Sequence, residues 1–210
     1  MSPKLRQELT DALIPSLPSL PENIVDGGAY GDFDLNKNVP EGVRQKSLKP
    51  AAVLVPIITY EDMPRVLFTR RAEHLSNHSG QIAFPGGRLD QTDQNVQAAA
   101  LREAHEEIGL APEHVDVLGY ADSYETFTGY YVVPVIGLIA PGFEMQINPD
   151  EVSDVFEVPL QHLMDQQNHI VESAKFKGRQ RYFYAIPYEQ HYIWGATAGM
   201  IRAISERAFK

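Results

Sequence analysis

No cysteine occurs anywhere in the 210 residues, which excludes disulfides, thiolate zinc sites and thiol nucleophiles together. No apolar run reaches the roughly 18 residues a membrane-spanning helix needs, and no basic-then-apolar leader opens the chain. The expectation is therefore a cytoplasmic protein without a membrane partner. Basic residues are scarce as well: 18 Lys and Arg stand against 28 Asp and Glu, a net charge of −10. Nucleic acid is an unsuitable partner for that balance, because it needs a broad basic surface. An anionic substrate would need local cations, from a metal or from clustered Arg and Lys. What is present is ordinary for a globular protein, with 43% hydrophobic and 22% charged residues in a length that suits one domain and an appended element.

Residues 1–14, MSPKLRQELTDALI, place Leu5, Leu9 and Leu13 at helical spacing. The proline-rich PSLPSLPEN ends that helix, and residues 1–40 read as an N-terminal helix and arm, with the main domain over 41–210. Covering a site and forming a homodimer contact are both open uses for the arm. AAVLVPIITY and PRVLFTRR, split by EDMP, predict a hairpin. A long loop over residues 72–93 precedes a helix from about 94 to 108, for which Asp93 is the expected cap and Gly109 the C-terminal residue. HVDVLGYADSYET, YYVVPVIGLIA, DVFEVPL and RYFYAIPY read as strands, and TAGMIRAISERAF as a terminal helix. Strands on both sides of one central helix predict an α/β or α+β class with a mixed sheet.

The central helix contains LREAHEEIGL, residues 101–110. At about 100° per residue, Ala100, Leu101, Ala104 and Ile108 share one face, and Arg102, Glu103, Glu106 and Glu107 share the other. Carboxylates three and four residues apart repel by a few tenths of a kcal/mol per pair. Arg102 can pair with Glu106, but one guanidinium does not neutralise three acids. A hard divalent cation does, because Mg²⁺ takes oxygen ligands between carboxylates and substrate phosphates. Just upstream, FPGGR offers Gly86 and Gly87, which permit backbone conformations and close approaches closed to other residues.

The segment from Gly87 to Leu110 resembles the Nudix box, G-x5-E-x7-R-E-U-x-E-E-x-G-U with U aliphatic. Arg102, Glu103, Ala104, Glu106, Glu107, Gly109 and Leu110 fall on its second half. The first half departs: the pattern wants glycine where Arg88 stands and glutamate where Gln94 stands, so a structural role for that glutamate passes to Asp90 or Asp93 or is lost. LFTRRAEHLSNHSGQIAFPGG is similar to the signature of the coenzyme A pyrophosphatase branch, through Leu67, Thr69, Arg71, Ala72, Gly80, Phe84, Pro85, Gly86 and Gly87. Phe68 replaces a leucine, and Ser76 stands where the signature has its second arginine, a place that Arg70, Arg71 or Arg88 would have to fill.

The resemblance implies a Nudix fold, an α/β/α sandwich around a mixed sheet with the box as loop-helix-loop. It implies metal-dependent hydrolysis of coenzyme A or a derivative to 3′,5′-ADP and 4′-phosphopantetheine. ADP-ribose or NADH as substrate, or a nucleotide-sensing module without turnover, are the alternatives. Glu103, Glu106 and Glu107 would hold Mg²⁺ or Mn²⁺, and Arg102 would orient them. Arg70, Arg71, Phe84, Gly86, Gly87 and Arg88 are the candidate substrate contacts. The general base is either a box glutamate or Glu151 in NPDEVSDVFEVPL.

Other residues carry less. His74 and His78 share a four-residue spacing, but Ser, Asn and Gly around them argue for an exposed loop, and no third zinc ligand is evident. His105 is expected as a packing histidine. Phe127, Tyr130 and Tyr131 suit either adenine stacking or the core, and Trp194 is expected in the core.

Overall fold

The computed structural model describes residues 1–18, 20, 28–38, 47–75, 78–176 and 178–208. Ser76 lies outside them. In chain order the elements are α1 (Pro3–Ala12), β1 (Tyr30–Gly31), β2 (Lys49–Ile58), β3 (Arg65–Arg71), β4 (Ile82–Ala83), β5 (Gly86–Arg88) and α2 (Val96–Ile108). Then come β6 (Val115–Tyr120), β7 (Tyr124–Glu125), β8 (Tyr130–Ile139), β9 (Val152–Pro159), α3 (Leu160–Met164), β10 (Ile170–Phe176), β11 (Arg179–Tyr188), β12 (His191–Trp194) and α4 (Ala196–Ala208). No helix among the described residues is long and apolar enough to cross a membrane.

At the centre of the main sheet, β2 and β8 run parallel from Lys49↔Tyr130 to Ile58↔Ile139. Both read as nearly continuous apolar runs because each is covered on two sides. β6 joins β8 antiparallel, and β9 joins β3 antiparallel, which makes the sheet mixed. The expected hairpin exists, but β2 and β3 pair only at Ile57↔Val66 and Ile58↔Arg65. Further along, the same edge of β2 is taken by β5, through Ala51↔Arg88 and Val53↔Gly86. This substitution brings the Gly86–Gly87 loop onto the sheet.

Two apolar layers cover the sheet. On one face α2 buries Val96, Ala99, Ala100, Ala104 and Ile108 against Ala52, Leu54, Val133 and Val135. On the other, Leu9 and Leu13 of the N-terminal segment join Leu160, Leu163, Met200, Ile201 and Ile204 against Val55, Ile57 and Ile136. Helices on both faces of a mixed sheet are the expected α/β/α sandwich. The arm is part of the packing where it is described: β1 pairs with β7, Asp32 accepts hydrogen bonds from the Tyr124 hydroxyl at 2.9 Å and the Phe127 N–H at 2.8 Å, and the Asn36 side chain bonds both backbone groups of Tyr182.

Three expectations need correction. A second sheet, β10-β11-β12, is more extensive than the single strand RYFYAIPY. All of β10 is exposed, and Glu172 interrupts the side that carries Ile170, Ala174 and Phe176, so no continuous apolar face marks the strand. Trp194 lies on that sheet at 39% exposure, against Phe183, rather than in the core. His105 is exposed, because the buried face of α2 is made by Ala104 and Ile108 on either side of it.

Candidate active site

The first turn of α2 is capped by Asn95, whose side-chain oxygen accepts the Ala98 N–H at 2.9 Å. Asp93 is therefore not the cap. It is turned instead to Arg102, accepting Nε at 3.0 Å and Nη2 at 2.9 Å, with its side chain only 4% exposed. Arg102 Nη1 reaches Glu103 at 3.0 Å and Glu106 at 2.9 Å. Of the two aspartates near Gln94, it is Asp93, one residue earlier, that pairs with the box arginine.

That pair has a measurable signature. The Arg102 hydrogen bond holds the Asp93 carboxyl below its ordinary range. A depressed folded-state pKa stabilises above the unfolded value, near 3.8, and the contribution disappears as pH falls through the folded value. Asp93→Asn is expected to cost about 1–3 kcal/mol at pH 7, the usual worth of a charged hydrogen bond. In urea unfolding the difference from wild type should shrink below about pH 4; an equal loss at pH 7 and pH 3 would assign it to shape rather than charge.

Beyond Arg102 the acids separate into two groups. Carboxylate oxygens of Glu103, Glu107 and Glu151 all lie within 4.8 Å of one another. Glu106 is not in that set: on the exposed side of α2, it is held by Arg102. Glu107 is 3% exposed, and its Oε2 is buried without a hydrogen-bond partner. Glu107 therefore does not share the polar face of Arg102 and Glu106; the helix turns it inward against the Gly86–Gly87 loop. Gly86 N–H donates to its carboxylate, and Arg71 is the nearby opposing charge. Burial first, then Glu103 and Glu151, push the Glu107 carboxyl up to about 8. Burial raises Glu103 too, opposed by Arg102.

Space is closed by backbone at Gly86 and by the acidic set itself at Gly87. A Cβ on Gly87 would overlap the Glu103 carboxylate, and one on Gly86 would strike the Ala52 carbonyl of β2. Three converging oxygen donors, one with an orphaned buried oxygen, fit a hard divalent cation, which takes carboxylate oxygens and removes the repulsion among them.

The structure divides the candidate substrate contacts. Arg71 stands beside Glu107, with its Nε buried and unpartnered. Arg88 is exposed; its Nε donates to the Tyr130 hydroxyl at 2.8 Å, and its guanidinium lies 5.3 Å from that ring centroid. Phe127, Tyr130 and Tyr131 are all half-buried. Two other candidates are engaged within the fold. Arg70 points to the opposite face of β3 and donates to Nδ1 of His191 at 3.2 Å, while that imidazole stacks on Phe156 with centroids 3.6 Å apart. It stitches β12 to the main sheet. Phe84 is 2% exposed and stacks on Phe68 at 5.0 Å, so it supports the glycine loop from the core. His74 and His78 are exposed.

Sequence reasoning missed Asn148, whose Nδ2 donates to Glu151 Oε1 at 3.4 Å. Its only local signal is Asn-Pro-Asp, which reads as an ordinary turn.

The model of the NUDIX domain matches residues 48–180. The uncharacterized Nudix hydrolase NudL of Shigella boydii serotype 4 (strain Sb227) is 43% identical over 157 residues, covering 75% of this chain and 81% of its own. NudL of Enterobacter sp. (strain 638) is 39% identical over the same coverage. A solved Nudix hydrolase from M. Smegmatis, RenU, is 20% identical with a TM-score of 0.49, covering 75% of this chain and 84% of that one. The domain match and the NudL relatives carry the assignment: the chain belongs to the Nudix family and is a Nudix hydrolase.

Proposed function

We propose that this hydrolase cleaves the diphosphate of coenzyme A or a derivative, in the cytoplasm, giving 3′,5′-ADP and 4′-phosphopantetheine, with Mg²⁺ or Mn²⁺ held by Glu103, Glu107 and Glu151. The observation that carries the proposal is Glu107, a buried carboxylate with an unpartnered oxygen onto which two more carboxylates converge. Substrate choice is supported by the run from Leu67 to Gly87, which is similar to the coenzyme A signature except at Ser76.

In the reaction, water adds to one phosphorus, the anhydride P–O bond breaks, and each half leaves with a phosphate monoester. When bound, the cation neutralises phosphoryl oxygens and favours ionisation of the attacking water. The protein's own groups do the rest. Glu151, on a loop at the edge of the set, accepts the proton from water. Arg71 offers a fixed positive charge beside Glu107 to the diphosphate. Arg102, clamped by Asp93, orients Glu103. Arg88, at the exposed end of β5, is free to meet a nucleotide phosphate while leaning on Tyr130.

Separate incubations with coenzyme A, ADP-ribose and NADH, each with Mg²⁺, with Mn²⁺ or with chelator, are resolved by chromatography of the phosphate products. Metal-dependent 3′,5′-ADP from coenzyme A is the expected result. Cleavage of ADP-ribose or NADH alone would move the substrate to another nucleoside diphosphate derivative, consistent with the missing arginine at Ser76. No cleavage of any would favour the sensing module.

A further inference from the structure

Glu107 and Glu151 sit on different elements, 44 residues apart by their numbers, yet their carboxylates are held together. The join is made at the end of α2. The last carbonyls of a helix have no intrahelical donor, and here the loop before β9 supplies them: Gln146 N–H donates to the Ile108 carbonyl at 3.0 Å, and Asn148 N–H to the Glu107 carbonyl at 2.9 Å. Gly109 makes the approach possible, with φ of 71° and a hypothetical Cβ only 2.7 Å from Gln146 Cβ.

From that anchor Asn148 reaches forward. Its carbonyl accepts the N–H groups of Glu151 at 3.1 Å and Val152 at 2.9 Å. Its side-chain oxygen accepts the Asp150 N–H at 3.1 Å, and its Nδ2 donates to Glu151 Oε1 at 3.4 Å. One residue therefore touches the backbone of Glu107 and the side chain of Glu151. Glu151 needs such a tie, because its neighbours in the set are two carboxylates that repel it.

We propose that Asn148 is a positioning residue that holds the Glu151 carboxylate against Glu103 and Glu107, so that cation affinity depends on an amide that is not itself a ligand. The inference rests on the cation site proposed above. Truncation of the side chain leaves the backbone bonds to Glu107, Glu151 and Val152 in place, which separates positioning from folding.

The experiment titrates Mn²⁺ alone, without substrate, into wild type, Asn148→Ala, Glu151→Gln and the double variant, following free Mn²⁺ by electron paramagnetic resonance. Asn148→Ala is expected to bind about tenfold more weakly, the usual cost of losing a group that orients a ligand. Glu151→Gln should lose at least as much, and adding Asn148→Ala to it should change nothing further, since the amide acts through that carboxylate. The melting temperature of Asn148→Ala should stay within a few degrees of wild type. If it falls further, Asn148→Ser serves instead: its hydroxyl keeps an acceptor for the Asp150 N–H, adds no charge and is too short to reach Glu151 Oε1, so it must weaken Mn²⁺ in the same way. Wild-type affinity in these variants, or an equal loss with and without Glu151, overturns the proposal. A wild type that binds no Mn²⁺ overturns the cation site itself and is recognised before any variant is measured.

Discussion

Glu107→Gln should lose turnover by about a thousandfold or more while the metal-free protein becomes more stable at alkaline pH. The first effect follows from removing one ligand charge where the cation supplies several kcal/mol of transition-state stabilisation, at about 1.4 kcal/mol per tenfold in rate. The second follows from the carboxyl's own displacement. Burial and its two acidic neighbours push it up to about 8 from 4.5. The folded state therefore favours the protonated form, and the free energy of folding loses ground as pH rises from about 4.5 to about 8. Each tenfold in proton affinity is worth about 1.4 kcal/mol, and solvent at the half-buried Glu103 and Glu151 reduces the total, so a gain of about 1–3 kcal/mol is expected for the variant. In chelator, thermal melts should show Glu107→Gln above wild type at pH 8.5 and equal to it near pH 4.5. A variant that melts lower at every pH would make Glu107 an ordinary structural acid.

The second large effect is expected at Glu151. Replacing it with Gln removes the proton acceptor at nearly constant shape, and general bases contribute roughly a hundredfold to ten-thousandfold. Measured at Mn²⁺ concentrations that saturate the variant, so that weaker cation binding does not enter, a fall in kcat of at least about a hundredfold, with KM for the diphosphate substrate changed severalfold at most, is the expected pattern. A fall below tenfold would return the base role to a box glutamate, Glu103 being the one whose raised carboxyl is only half-buried.

Much of the fold was legible because period and composition agree with it. Ala100, Ala104 and Ile108 announce the buried stripe of α2, and the apolar runs of β2 and β8 announce covered strands. Leu9 and Leu13 likewise mark the buried face of the N-terminal segment. β10 was not legible, because its seven residues are all exposed and Glu172 breaks the side formed by Ile170, Ala174 and Phe176. Trp194 misled for a related reason: a large aromatic in a short strand suggests the core, whereas here it lies on the outer side of a small sheet.

For the site, the acids were found but their grouping was not. Helical spacing places Glu103, Glu106 and Glu107 within one turn, and it takes tertiary packing to turn Glu107 inward and leave Glu106 outside with Arg102. Glu151 enters from a distant loop, a relation that no local pattern carries, although its place before a strand marked it as a candidate. Strand alternation also decides between adjacent arginines: Arg71 is beside Glu107, while Arg70 is committed to His191 across the sheet. The bulge between these two residues in the pairing with β9 lies outside any sequence signal.

The most direct test of the account is Mn²⁺ binding to the substrate-free protein at pH 7.5, wild type beside Glu107→Gln. The account predicts saturable binding to wild type, competed by Mg²⁺, and a loss of at least tenfold in affinity for the variant. Binding of equal strength to both, or to neither, would contradict the assignment of Glu103, Glu107 and Glu151 as the cation's seat.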